Sequence, residues 1–98
     1  MRIKIIKSYR DIVAICDSDL LGKKFEEGNF QLDIKEAFYG GEEVEEEEAI
    51  EIISKMAAED ATFNIVGEKA IQTAIKSGLI DKKSVKKIQN IPFTLVLI

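Results

Sequence analysis

The chain is expected to fold as one α+β domain spanning residues 1–98, with a small, mostly antiparallel sheet of about four strands packed in two layers against two to three helices. Three observations predict this. Short stretches alternate apolar and polar residues at the period of a strand. Two longer stretches place apolar residues three and four apart, as on one face of a helix. Ninety-eight residues are enough for one hydrophobic core and too few for two.

Arg2 to Lys7 alternates around Ile3 and Ile5 and reads as a half-buried strand, while the apolar run Ile12–Cys16 reads as a more buried one. The polar turn Ser8–Asp11 between them suggests a β-hairpin. Asp17-Ser18-Asp19 is a helix start signal, and Leu21 and Phe25 lie four apart. A short helix ending at Gly28 is therefore expected. Phe30, Leu32 and Ile34 fall on one face of a strand over 29–34, and Phe25, Phe30 and Phe38 are assigned to the core. Phe38-Tyr39-Gly40-Gly41 reads as a turn with positive φ at glycine.

The strongest helix signal covers residues 45–58, where Ala49, Ile53 and Met56 form a stripe and glutamates crowd the first turns. Residues 62–66 suggest a strand leading into a helix over 67–77, closed by Gly78. Asp81 looks like the cap of a third helix with Val85 and Ile88 inward. Pro92 opens a last strand over 93–98.

Composition narrows the function classes. At 46% apolar and 33% charged residues with one proline, the chain is neither disordered nor collagen-like. No run is long enough to span a bilayer, and Met1–Ile6 lacks the features of a signal peptide. A cytoplasmic location without membrane contact is the expectation. Histidine is absent, which removes the commonest general base and metal ligand. The net charge of −4 is unevenly spread: residues 26–60 hold 13 acidic and 2 basic side chains, and the remainder 5 acidic and 12 basic.

No segment carries a catalytic motif. Cys16 sits in an apolar run beside carboxylates, which disfavours the thiolate, so a core role is expected. Asp17, Asp19, Glu26 and Glu27 offer oxygen ligands but lack the spacing of a calcium loop. Capping by Asp17 or Ser18 is the simpler reading. The acidic run Glu42–Glu48 is ordinarily a solvated helix start, and its functional alternative is docking to a basic partner. Asn64 to Lys69 places a strand, a glycine and a helix start together, an arrangement that binds anions. A structural turn with Asn64 as turn former is its ordinary alternative. Lys23, Lys24, Lys82, Lys83, Lys86 and Lys87, with Arg2, Lys4 and Lys7, are candidate contacts to a phosphate backbone. Their ordinary role is solvation.

Three blocks occur in register: Cys16-Asp17 with Leu20-Leu21-Gly22-Lys23, Phe25 and Glu27-Gly28; Phe38-Tyr39-Gly40-Gly41; and Asn64-Ile65-Val66-Gly67-Glu68 with Ala70. Together they resemble the archaeal family known as domain of unknown function 424, across nearly the whole chain. The resemblance implies a short, mostly single-domain archaeal protein without an established activity. It points to Gly40, Gly41, Asn64, Gly67 and Glu68 as candidate binding positions, to which Tyr39 is added as a residue that a pocket between the two turns would hold. The tail departs from the family, which often has a Val-Pro-His-like segment where this chain has Ile91-Pro92-Phe93. Any chemistry of that histidine is lost here.

The reading that follows is a non-enzymatic binding module without cofactor or metal, engaging RNA or a translation component. Two alternatives stand beside it. One is a protein-interaction or scaffold subunit using its acidic helix or a sheet edge, with homodimerisation as a variant. The other is a small-ligand binder or enzyme with its site between the Gly40 and Gly67 turns.

Overall fold

The computed structural model describes residues 1–97. It contains a six-stranded sheet, a separate two-stranded hairpin and three α-helices, so the mixed α+β class holds while the expected four strands undercount the sheet. Strands β1 (Arg2–Ile6) and β2 (Ile12–Cys16) form the expected hairpin, with Ile3 opposite Ile15 and Ile5 opposite Val13. β6 (Thr62–Val66) lies parallel to β2, and β8 (Ile91–Val96) runs antiparallel to β6. With β5 (Glu42–Glu43) and β7 (Lys86–Ile88) outermost, the order is β5-β1-β2-β6-β8-β7. All neighbours pair antiparallel except β2 and β6.

Period-two alternation gives this sheet two apolar faces. One presents Ile3, Val13, Ile15, Phe63 and Ile65 to α2 (Glu46–Ala58) and α3 (Glu68–Lys76). Ala49, Ile53 and Met56 of α2 bury as the helical spacing requires, and so do Ala70, Ile71 and Ala74 of α3. Phe63 is fully buried, and a side chain of that size contributes about 1.5–3 kcal/mol by leaving water. Gly78 takes φ +85° at the end of α3, as expected.

The second face is covered too, which a two-layer arrangement does not provide for. Ala14, Cys16 and Val66 pack under Leu20, Ile34 and Tyr39. Those residues are supplied by a 3₁₀ turn (Ser18–Leu20), the residue that follows the hairpin β3–β4 (Lys24–Glu27 and Phe30–Asp33), and α1 (Glu36–Tyr39).

Four local expectations are corrected. The helix expected after Asp17 is only the 3₁₀ turn; Phe25 lies on β3, opposite Leu32 of β4. Phe30 is 72% exposed rather than core, because it lies at the turn end of the small hairpin, outside the six-stranded sheet. Gly40 closes α1 with φ −80°, and Gly41 has no positive φ either. The third helix reduces to a 3₁₀ turn (Lys82–Ser84), with Asp81 accepting from the Lys83 amide as its cap, followed by strand β7. The last strand ends at Val96, and Ile98 of the expected 93–98 strand lies outside the described residues. Among the described residues no helix is long and apolar enough to cross a membrane.

Candidate functional site

The carboxyl ends of the parallel strands β2 and β6 deliver Asp17 and Gly67 side by side. Backbone pairing continues past the strands, since the Asp17 amide donates to Val66 O at 3.1 Å and the Gly67 amide to Pro92 O at 2.8 Å. Asp17 makes no cap to its own 3₁₀ turn. Its carboxylate instead accepts from the Lys69 amide at 3.1 Å and the Ala70 amide at 2.8 Å, so it caps α3 from 52 and 53 residues upstream. Gly67 permits this by having φ +110° and no Cβ, which would stand 2.4 Å from Asp17 Cγ. The expected anion site at the start of α3 is therefore filled by the chain's own carboxylate. Asn64 takes no part in it: it sits mid-strand between Ala14 and Leu95.

The second glycine pair is held to the same end of the sheet by charge. Arg2 Nη1 donates to Gly41 O at 3.0 Å, and Arg2 Nε lies 3.3 Å from Glu43 Oε1. That nitrogen is buried and has no aligned acceptor, so the contact is electrostatic rather than a hydrogen bond. Glu43 also accepts from the Met1 amine at 2.6 Å and from the Ser18 hydroxyl at 2.5 Å. These two donors, the ammonium first, hold its carboxyl below the usual carboxylate range. Gly41 sits where a Cβ would meet Ile3 O at 1.9 Å. Close approach, not backbone freedom, is what requires glycine there.

Between these joints lies a cleft of about 600 Å³, lined by Met1, Asp17, Ser18, Asp19, Glu43, Glu68 and Lys69. Of the candidate binding positions it contains only Glu68. Tyr39 is buried against Phe38, edge to face at 5.0 Å between ring centres, and does not reach the cleft. Gly40 is exposed, and Gly41 borders a separate hollow of about 300 Å³ with Ile3, Ile5 and Ile52. The Gly40 and Gly67 turns thus meet through Arg2, Glu43 and Ser18 without sharing a cavity. Among the described residues, no group of three or more cysteine or acidic side chains is placed to hold a metal ion.

Lysines gather at the other edge of the sheet. Lys82, Lys83, Lys86 and Lys87 are exposed on the 3₁₀ turn and β7. Among the described residues none of the four has an ion-pair partner, whereas Arg2, Lys7 and Lys76 do. Lys23 and Lys24 ride on the hairpin that lies against β7, with Lys24 3.8 Å from Glu26. Sheet order puts Glu42 and Glu43 at the edge far from these four lysines, while Arg2 pairs with Glu43 there and Glu26 and Glu27 lie on the hairpin beside β7. A groove of about 270 Å³ runs beside β7, lined by Ile71, Ile75, Val85 and Pro92 with Lys82 and Lys87, and reaches Glu68 and Gln72 of α3.

Residues 6–98 match the family described as protein of unknown function DUF424. The chain belongs to that family. A crystal structure described as an uncharacterized conserved protein from Methanopyrus kandleri is similar to this DUF424 chain at 25% identity, with a TM-score of 0.86 over 98% of this chain and 90% of that one. No curated protein matches.

Two buried groups give the DUF424 chain a pH signature. Burial, then the charge of Asp17, pushes the Cys16 thiol up to about 11, and burial, then Cys16, pushes Tyr39 up to about 12. Both are protonated at neutral pH, so neither supplies a nucleophile there. A folded pKa above the unfolded value means that stability is full below the unfolded pKa and declines as pH rises through the folded one. Urea midpoints should therefore hold steady up to about 9 and fall progressively towards 12. In Cys16→Ala/Tyr39→Phe the decline should flatten; an unchanged slope in that variant would assign it to other groups.

Proposed function

We propose that this DUF424 protein is a non-enzymatic binding module that docks on an anionic component of the translation machinery, RNA or an RNA-bound protein, through its lysine edge. The carrying observation is that Lys82, Lys83, Lys86 and Lys87 lie together without carboxylate partners, on the sheet edge opposite the acidic one. Unneutralised lysines gain most from phosphate, because binding releases the counterions that phosphate holds. Phe30, exposed on the adjoining hairpin, offers a ring for stacking. A non-catalytic role agrees with the protonated state of Cys16 and Tyr39, and with Asp17 and Glu43 being committed as acceptors inside the protein.

Co-sedimentation with ribosomal subunits and with total RNA at 50 and 200 mM salt tests the reading. Four phosphate contacts to a single strand give a log–log salt slope of about −3, hence about 50-fold weaker binding at the higher salt. The K82E/K83E/K86E/K87E variant should stay in the supernatant at both. Salt-insensitive sedimentation, or a variant that pellets like the parent, would sink the proposal.

A further inference from the structure

We infer that the groove between α3 and β7 receives an extended acidic segment of a partner protein, which adds a strand to β7 and seats one apolar side chain against Ile75, Val85 and Pro92. The inference rests on the lysine edge being the contact surface and goes further by naming what occupies it. β7 is an outermost strand whose ladder partner in the sheet is β8 alone. The hairpin β3–β4 lies against it and holds its Gln89 end through Glu27 and Glu26, and Lys87 is the residue whose N–H and C=O face away from β8. Beside it the groove floor is branched aliphatic and proline, with room for one or two side chains.

Charge fixes the character of the segment. Lys87 pairs across to Pro92 and lies on the groove face, while Lys86 pairs with Phe93 and lies on the opposite face. An added strand, whose own side chains alternate, thus meets a lysine on each face of the sheet. Lys82 and Lys87 on the groove favour acidic residues. Glu68 shares the Pro92 end with Lys87, because Lys87 pairs with Pro92 and the Pro92 carbonyl accepts from the Gly67 amide, so Lys82 is the lysine without a neighbouring acid in the groove. The same lysines disfavour β7-to-β7 pairing between two copies, because like charges would meet.

A polypeptide fits better than RNA at this place. The groove has no aromatic ring on which a base can stack. Phosphate oxygens only accept hydrogen bonds, so they leave strand carbonyls unpaired, whereas a peptide backbone supplies both donors and acceptors.

The test is selection of random dodecamer peptides on the immobilised full chain, followed by fluorescence anisotropy of the enriched peptides. The expected result is enrichment of Asp or Glu alternating with Leu, Ile or Val. Lys82→Glu/Lys87→Glu and, separately, Val85→Ser should each weaken binding about tenfold or more. Circular dichroism checks that both variants fold, and the exposed lysine pair keeps the test valid if Val85→Ser does not. The peptide should also slow amide exchange at Lys87, whose N–H faces away from β8. No acidic–aliphatic enrichment, binding indifferent to the lysine pair, or protection of this amide by an RNA oligonucleotide instead would overturn the inference. Retained salt-dependent sedimentation in Val85→Ser, together with failed peptide selection, would reject this occupant and leave the lysine-edge reading standing. Loss of neither on charge reversal would reject both.

Discussion

Gly67→Ala should destabilise the protein by about 3 kcal/mol or more in urea denaturation followed by circular dichroism. Two costs combine. A φ of +110° is strained for any residue with a Cβ, and the new methyl would stand 2.4 Å from Asp17 Cγ and 2.7 Å from both its oxygens. Those oxygens cannot yield freely, because they hold the Lys69 and Ala70 amides. Asp17→Ala alone should cost about 2 kcal/mol, since it removes two charge-assisted bonds and leaves buried donors at the start of α3. The double variant should cost less than the sum by about 1–3 kcal/mol, because the methyl then enters space the carboxylate vacated. Additive costs would show that the two residues do not act on each other.

Gly41→Ala is expected to be as severe for a different reason. Its φ is not positive, yet a Cβ would meet Ile3 O at 1.9 Å and Lys4 Cα at 2.7 Å. Only backbone stands in the way, so relief requires β1 to move from β5 and disturbs the Arg2 bond to Gly41 O. A loss of at least about 3 kcal/mol would lower Tm by more than about 12 °C in a domain of this size. Gly28→Ala is the control: its φ is +60° but nothing lies within 4 Å of the added methyl. It should cost only about 1 kcal/mol. Equal losses at Gly41 and Gly28 would refute the steric account.

The period-two and helical patterns carried most of the fold. β1, β2, β6, α2 and α3 lie within a residue or two of where alternation and the i, i+4 stripes put them. The two misplaced helices share a cause: a spacing of four that did not mean a helix. Leu21 and Phe25 fit one helical face, yet Gly28-Asn29 is the two-residue turn of a hairpin, a signal present in the sequence and read there as a helix stop. Lys82-Lys83 and Lys86-Lys87 likewise imitate a solvated helical face, although the second pair splits across the two faces of β7. The capping of α3 by Asp17 had no local signal, because the partners are brought together only by parallel pairing of β2 with β6. For the candidate binding positions, the sequence marked Gly41 and Gly67 as special, and the structure supplies a steric reason for each. Asn64 and Tyr39 are strand and core residues.

Asp17 and its amide partners also constrain the order in which the chain acquires structure. Gly67 has no side chain, so nothing local satisfies the first amides of α3. That helix reaches full strength only when a residue more than fifty positions earlier has arrived. Closing so long a loop is entropically costly and slows the step that depends on it. The rate-limiting event should then be the meeting of β2 with β6, with α3 consolidating as it happens. The amino-terminal hairpin and the α3 region should therefore gain protection from amide exchange together rather than one after the other.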